Sequence, residues 1–421
     1  MIKEELQHAF QTLRQQSEAL CRPLAIEDYV IQSIEDVSPP KWHLAHTSWF
    51  FETFILRPYL SDYQLFNPLF QYLFNSYYQG IGKPFPRAER GLLSRPTVDV
   101  IYSYRNYVDN YISVLIEKTA ENTLDELQQL LTLGIQHEQQ HQELLLMDIK
   151  HNFSLDPDFP IYQPSQREHE EARKTTIEFI EVDGGIVDIG HQSKSFCFDN
   201  ELPRHQTILK PYSIAAQLVT NGDYLEFITD GGYQEPNWWL SDGWDCIAKY
   251  NWQAPLYWHQ FDNTWYIFSL NGLRKIDLAE PVCHVSYYEA EAYARWRGYR
   301  LALEEEWEHF VTQQGLFPLD SNFMETGLFH PKACAKQTNN SPQQFFGDLW
   351  EWTSSPYTAY PGYKPLKGVL GEYNGKFMAN QIVLRGGSCA TPKSHIRASY
   401  RNFFQPEKRW QFSGIRLANS Q

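Results

Sequence analysis

The stretch Ile135-Gln136-His137-Glu138-Gln139-Gln140-His141-Gln142-Glu143 constrains this chain more than any other. Residues four apart on a helix share a face, so His137 and His141 stand side by side and their imidazoles can grip one metal ion. The surrounding sequence predicts that helix over 124–151. Leu127, Leu130, Leu131, Leu144, Leu145 and Met147 supply an apolar face that only Gly134 interrupts, and Thr123-Leu124-Asp125-Glu126 reads as a capping box. A third ligand decides the chemistry, and Trp42-His43-Leu44-Ala45-His46-Thr47 offers His43 and His46 on a second predicted helix. Spacing does not choose between them. Three neutral imidazoles with open coordination positions suit Zn, Cu or Fe(II).

The same letters spell the H-E-x-x-H signature of zinc metalloproteases, with Glu138 as general base. The extended metzincin form is absent, because Leu144 stands where that pattern has Gly. Glu138 and Glu143 are expected to point away from the His137/His141 face or to lie a turn beyond it. A pair of merely structural histidines is the plain alternative to both metal readings.

At 421 residues the chain exceeds what one hydrophobic core usually organises, so two domains are expected. A formal charge of −15 and a pI near 5.4 oppose nucleic-acid or anionic-membrane partners, which want clustered Lys and Arg. No window approaches the roughly 20 apolar residues of a membrane span. The opening Met1-Ile2-Lys3-Glu4-Glu5 lacks a signal-peptide core, so a cytoplasmic address is expected. The six cysteines are scattered without a C-x-x-C pair and read as free thiols.

Helical patterning at 3–20, Pro39–Leu60, 97–120 and 124–151 predicts a four-helix bundle over 1–152. Prolines and dense charge without periodicity over 153–175 read as a linker. Over 176–421 short strands and ordered loops are expected, with helices at Tyr287–Arg297 and from Glu304. The 15 % aromatic content, including 13 Trp and 26 Tyr, fits loops pinned by large rings. The fold class is thus α+β.

The N-terminal pattern resembles the DinB-like helical bundle, whose metal is held by one histidine on the second helix and a later H-x-x-x-H pair. The C-terminal part resembles the formylglycine-generating-enzyme domain, a C-type-lectin-like fold. It shows Val182-Asp183-Gly184-Gly185, Phe198-Asp199-Asn200-Glu201, Val219-Thr220-Asn221-Gly222-Asp223-Tyr224, Arg300 to Glu308, Gly347-Asp348-Leu349-Trp350-Glu351-Trp352-Thr353, Arg385-Gly386-Gly387-Ser388 and Ser413-Gly414-Ile415-Arg416-Leu417. Any one of these suits loop locking; their order carries the resemblance. The formylglycine-generating oxidase needs two copper-binding cysteines after its Arg-Gly-Gly-Ser, and here only Cys389 follows. That activity is not expected.

The fusion of these two domains is the architecture of the ergothioneine sulfoxide synthases, and the chain resembles their cysteine-using subgroup. In that family Fe(II) and O2 join a cysteine-type sulfur to imidazole C2 of N-alpha-trimethylhistidine, leaving a sulfoxide. The resemblance implies His46, His137 and His141 as metal ligands, with His43 a bystander. It implies Tyr77 and Tyr78, in Phe74-Asn75-Ser76-Tyr77-Tyr78-Gln79-Gly80, as catalytic residues beside the iron. Gln140 and Asn402 are implied as contacts to trimethylhistidine, whose quaternary ammonium wants aromatic faces such as Phe403, Tyr77 and Tyr78. Arg87 matches an arginine for the sulfur donor's carboxylate.

Members using gamma-glutamylcysteine resemble Trp-Asp followed four residues later by Arg. Here Phe404 and Lys408 stand at the Asp and Arg positions, so free cysteine is the expected donor. Substrates on this reading are trimethylhistidine, cysteine and O2, with no nucleic acid or membrane partner; the sequence sets no oligomeric state. Rivals are a selenoneine synthase using a selenosugar and an ovothiol-type synthase acting on unmethylated histidine. From other classes come the zinc protease and a non-catalytic binding module.

Overall fold

The structure is a computed structural model describing residues 3–164, 177–318, 321–334 and 341–420. The chain divides into two compact units, one of Met1–Tyr162 with Gly368–Tyr373, the other of Gln163–Lys367 with Asn374–Gln421. Of the linker expected over 153–175, residues 165–175 lie outside the described residues. The architecture is α+β, helical through residue 154 and sheet-containing after it.

The first unit is built on α1 (Lys3–Cys21), α2 (Pro40–Phe51), α5 (Val98–Lys118) and α6 (Glu121–Ser154), with short α3 (Arg57–Tyr59) and α4 (Phe70–Leu73) between them. Buried residues recur at helical spacing, Leu6, Phe10, Leu13 and Leu20 on α1 and Ile101, Tyr104, Val108, Ile112 and Leu115 on α5. Helix α2 opens with Pro40 at its first turn, where a missing N–H costs nothing, and is buried along its whole length. It continues through a π turn at Glu52–Leu56. Buried Glu52 is satisfied there by Tyr63, Tyr104, Gln71 and the amide of Phe66.

Helix α6 starts three residues earlier than the expected cap. Ala120 is its N-cap and Thr123 lies inside the first turn, its hydroxyl donating back to Ala120 O at 3.1 Å, so Thr123–Glu126 is not a capping box. The two-residue link Thr119–Ala120 from α5 fixes the start instead. Gly134 is an interruption with a reason. A Cβ there would sit 2.4 Å from Cε1 of Phe51, so only glycine lets α6 approach that ring.

The second unit contains β1 (Phe179–Val182), β2 (Gly185–Ile189), β3 (His205–Leu209), β4 (Tyr212–Ala215), α7 (Asn221–Thr229), α8 (Ser241–Tyr250), β5 (Trp258–Phe261), β6 (Thr264–Ser269), β7 (Gly272–Lys275), α9 (Tyr287–Trp296), β8 (Arg300–Leu301), α10 (Glu304–Gln313), β9 (Trp350–Pro356), β10 (Ile382–Arg385), β11 (Asn402–Phe404), β12 (Ser413–Gly414) and β13 (Leu417–Ser420). Two four-stranded sheets, ordered β1-β4-β13-β8 and β11-β10-β9-β12, are joined by a β2-β3 hairpin and a β5-β6-β7 meander.

The motifs singled out in the sequence knit this unit together. Arg416 pairs with Glu351 at 2.7 Å, Trp307 donates to the same carboxylate, and Arg385 pairs with Glu304 and Glu308, all of them buried. Gly386 has φ +97° and a Cβ there would meet Phe345 O at 2.6 Å, so this glycine serves the turn. Among the described residues no helix is long and apolar enough to cross a membrane. The described residues include all six cysteines, and none of them forms a disulfide.

Candidate metal centre

Three imidazoles meet in the first unit. His46 of α2 and His137 and His141 of α6 each offer a nitrogen, and these atoms lie within 4.8 Å of one another. His46 is fully buried and His137 is 3 % exposed. The Nε2 atoms of His46 and His137 are 3.2 Å apart. His46 Nδ1 lies 2.6 Å from Phe74 O, a contact that only an N–H can make, so its Nε2 carries the lone pair. Trp42 and Trp49 stack on the His46 ring at 4.6 and 5.5 Å and hold its plane.

Burial sets the charge state of the cluster. It drives His46 and His141 well below the ordinary imidazole range, reinforced by the field of His137 on His46 and by those of His46 and His137 on His141. Burial likewise pushes His137 down to about 3. Neutral imidazoles are the protonation state a metal requires, so the donor set fits a divalent transition ion.

Glu138 takes no part in the cluster. Its carboxylate accepts from Arg14 at 2.7 Å, Arg105 at 3.0 Å and Ser17 at 2.6 Å, all buried on the far side of α6 from the imidazoles. Burial alone would raise its pKa, but Arg14 and Arg105 overcome that and hold the carboxyl down to about 2. A general base needs a free lone pair directed at the metal; this one is committed elsewhere. The protease reading fails on that geometry.

The tyrosine pair lies in the same unit. Tyr78 is fully buried against Trp49 (5.8 Å) and Phe54 (5.0 Å), and the Tyr77 hydroxyl donates to that of Tyr78 at 3.4 Å. Asn75 fixes the loop by binding both backbone groups of Tyr78. Burial, then the fields of Tyr77 and Tyr373, keep the Tyr78 hydroxyl protonated. Arg87 is exposed and donates to Asp36 O. On β11 of the second unit Phe403 stacks on Tyr357 at 4.0 Å, Asn402 accepts from the Phe403 amide, and Phe404 packs edge-on against Trp410 at 5.3 Å.

Comparison with known proteins fixes the lineage. Residues 165–421 match the family model of the sulfatase-modifying factor enzyme 1-like domain. The hercynine oxygenase of Mycolicibacterium smegmatis is 32 % identical over 72 % of this chain and 76 % of its own length. The chain belongs to the hercynine oxygenase family. That of Mycobacterium tuberculosis is 35 % identical over 52 % of this chain and 55 % of its own. Ergothioneine biosynthesis protein 1 of Schizosaccharomyces pombe is 28 % identical over 53 % of this chain and 28 % of its own length.

In this member of the hercynine oxygenase family several residues around the imidazoles escaped sequence reasoning. Tyr373, from the Gly368–Tyr373 segment, donates to Gln140 Oε1 and sets its ring 5.8 Å from His137. Arg90 is buried with its guanidinium 3.3 Å above the Trp42 ring, where its field lowers His46 and His141 further. His43 is outside the triad, yet it is no bystander. Its ring binds His141 on one side and Asp148 on the other. Two histidines at i and i+3 on α2 were the available signal for His43; Tyr373 had none.

Proposed function

We propose that this protein is a non-haem Fe(II), O2-dependent sulfoxide synthase that joins cysteine sulfur to imidazole C2 of N-alpha-trimethylhistidine. The observation carrying the reading is the gathering of three neutral imidazoles, two buried and one half-buried, with their nitrogens within 4.8 Å, in a chain of the hercynine oxygenase family. His46, His137 and His141 would hold the ion. Fe(II) bound there supplies O2 activation and a coordination position for the thiol.

The chain's own residues do the rest. Burial keeps the three imidazoles free of competing protons. The Tyr77–Tyr78 pair is the proton source, since a phenol protonated at neutral pH can still deliver a proton along a hydrogen bond. Gln140, held by Tyr373, binds trimethylhistidine. The roles of Arg87 toward the donor's carboxylate, of Asn402 and Phe403 toward trimethylhistidine and of Phe404 in donor choice rest on the family resemblance alone.

The test is aerobic incubation of the purified chain with Fe(II), trimethylhistidine and cysteine, followed by mass spectrometry. A sulfoxide adduct carrying both substrates and one added oxygen is expected. Parallel reactions with gamma-glutamylcysteine, a selenosugar and unmethylated histidine separate the rival synthases. Turnover only with one of those replacements would overturn the substrate assignment.

A further inference from the structure

We propose that His43 and Asp148 form a positioning relay that sets the tautomer of His141 and thereby makes it a ligand; the inference rests on the metal-site reading above. His43 Nδ1 lies 2.9 Å from His141 Nδ1, and His43 Nε2 lies 2.9 Å from Asp148 Oδ2. A carboxylate only accepts, so the hydrogen of His43 sits on Nε2. Of the two Nδ1 atoms that face each other only one carries the hydrogen, and the relay assigns it to His141, so that His43 Nδ1 accepts from His141 Nδ1–H. His141 is left with its lone pair on Nε2, the nitrogen available to a metal. The opposite tautomer would place hydrogen on Nε2 and silence the ligand.

The relay is built in. The side chains of His43 and Asp148 are 4 % and 2 % exposed. The Ser38 amide donates to Asp148 Oδ2 at 2.7 Å, and Arg90 donates to the Ser38 hydroxyl at 2.8 Å. Asp148 follows His141 by seven residues, two turns along the same face of α6, while His43 precedes His46 by one turn of α2. One hydrogen-bonded path thus ties both ligand-bearing helices together. The other two imidazoles are held differently: His46 by a carbonyl, and His137 by ring contact with Phe50 at 4.4 Å, its Nδ1 buried without a hydrogen-bond partner. Among the described residues, His141 is therefore the ligand with a carboxylate behind it.

The test uses the full-length apo chain, titrated anaerobically with Fe(II) against a chromophoric chelator and with Co(II) read by visible absorption. Thermal unfolding reports the fold. Asp148→Asn keeps shape and the Ser38 bond but loses the charge, and a fall in Fe(II) affinity of about tenfold with an altered Co(II) spectrum is expected. His43→Leu should lose about 10- to 100-fold. His43→Gln, whose amide oxygen can accept from His141 Nδ1–H, should recover part of that. Equal losses in the Leu and Gln variants would mean that His43 only fills space and would overturn the relay. So would a folded Asp148→Asn protein that binds Fe(II) as wild type does, and that variant decides the matter should the His43 variants fail to fold. His141→Ala separates the two levels: if it still binds one Fe(II) per chain, the metal-site reading itself falls. If it loses the ion while Asp148→Asn does not, only the relay falls.

Discussion

Glu138→Gln separates a structural carboxylate from a catalytic one. The substitution is isosteric, so it leaves no cavity. It removes the charge that two buried guanidiniums share and turns an amide N–H₂ toward one of them. Depriving a buried pair of one partner costs about 3–5 kcal/mol, because the remaining charge keeps its desolvation penalty without compensation. Holding the carboxyl at about 2 against an ordinary 4.5 corresponds to about 3 kcal/mol, the same order. Arg14 retains Asp109 at 2.7 Å and Arg105 retains Glu18 at 3.4 Å, both partly exposed, so the lower end is expected. At roughly 2–4 °C per kcal/mol for a unit of this size, the melting temperature should drop by about 6–12 °C. Circular dichroism at 222 nm follows the helical unit, and Fe(II) stoichiometry well below the transition should stay at that of wild type. A variant that melts within about 2 °C of wild type but has lost turnover would refute the reasoning and return Glu138 to the active site.

Other perturbations probe the neighbouring assignments. His46→Ala should abolish stoichiometric Fe(II) binding by equilibrium dialysis, and an unchanged isotherm would remove it from the triad. Tyr77→Phe combined with Tyr78→Phe should keep metal and fold but shift product from sulfoxide adduct toward cysteine sulfinate; an unchanged product ratio by mass spectrometry would make the pair packing residues. Cysteine should exceed gamma-glutamylcysteine in kcat/KM, because a glutamyl carboxylate would meet Phe404 without compensation. A tenfold preference for the dipeptide would contradict this, and Phe404→Asp with Lys408→Arg should move specificity toward it. Gly134→Ala gains about 1 kcal/mol of helix propensity but forces a methyl into the Phe51 ring, so net destabilisation by chemical denaturation is expected, and a stabilised protein would show that the ring yields.

How much of this was legible in the sequence follows from the range of each interaction. The His137/His141 pair and the helices carrying it are local, fixed by a spacing of four and an apolar stripe. His46 against His43 was not decidable from spacing, since both lie on one turn of α2; the choice depends on the partner each ring finds, Phe74 O for His46 and Asp148 for His43. The supposed cap at Thr123 misled because a favourable local pattern lost to a link of two residues that starts the helix earlier. Helix α7 went unread because its capping box, Thr220 with Asp223, uses Asp where Glu or Gln is the usual signature. Tyr373 was out of reach: it meets Gln140 across 233 residues of sequence, and no periodicity encodes such a contact.

The grouping of Gly368–Tyr373 with the helical unit bears on how such a protein can be inherited. Six residues encoded deep in the C-terminal half complete the surroundings of His137 and Gln140, so a fragment ending at Tyr162 carries all three imidazoles of the cluster yet lacks the hydroxyl that fixes the glutamine. The two halves are therefore not interchangeable cassettes. Recombination that exchanged one for a distant homologue would have to bring a matching loop with it, and selection on the metal-bearing half reaches into the reading frame of the other.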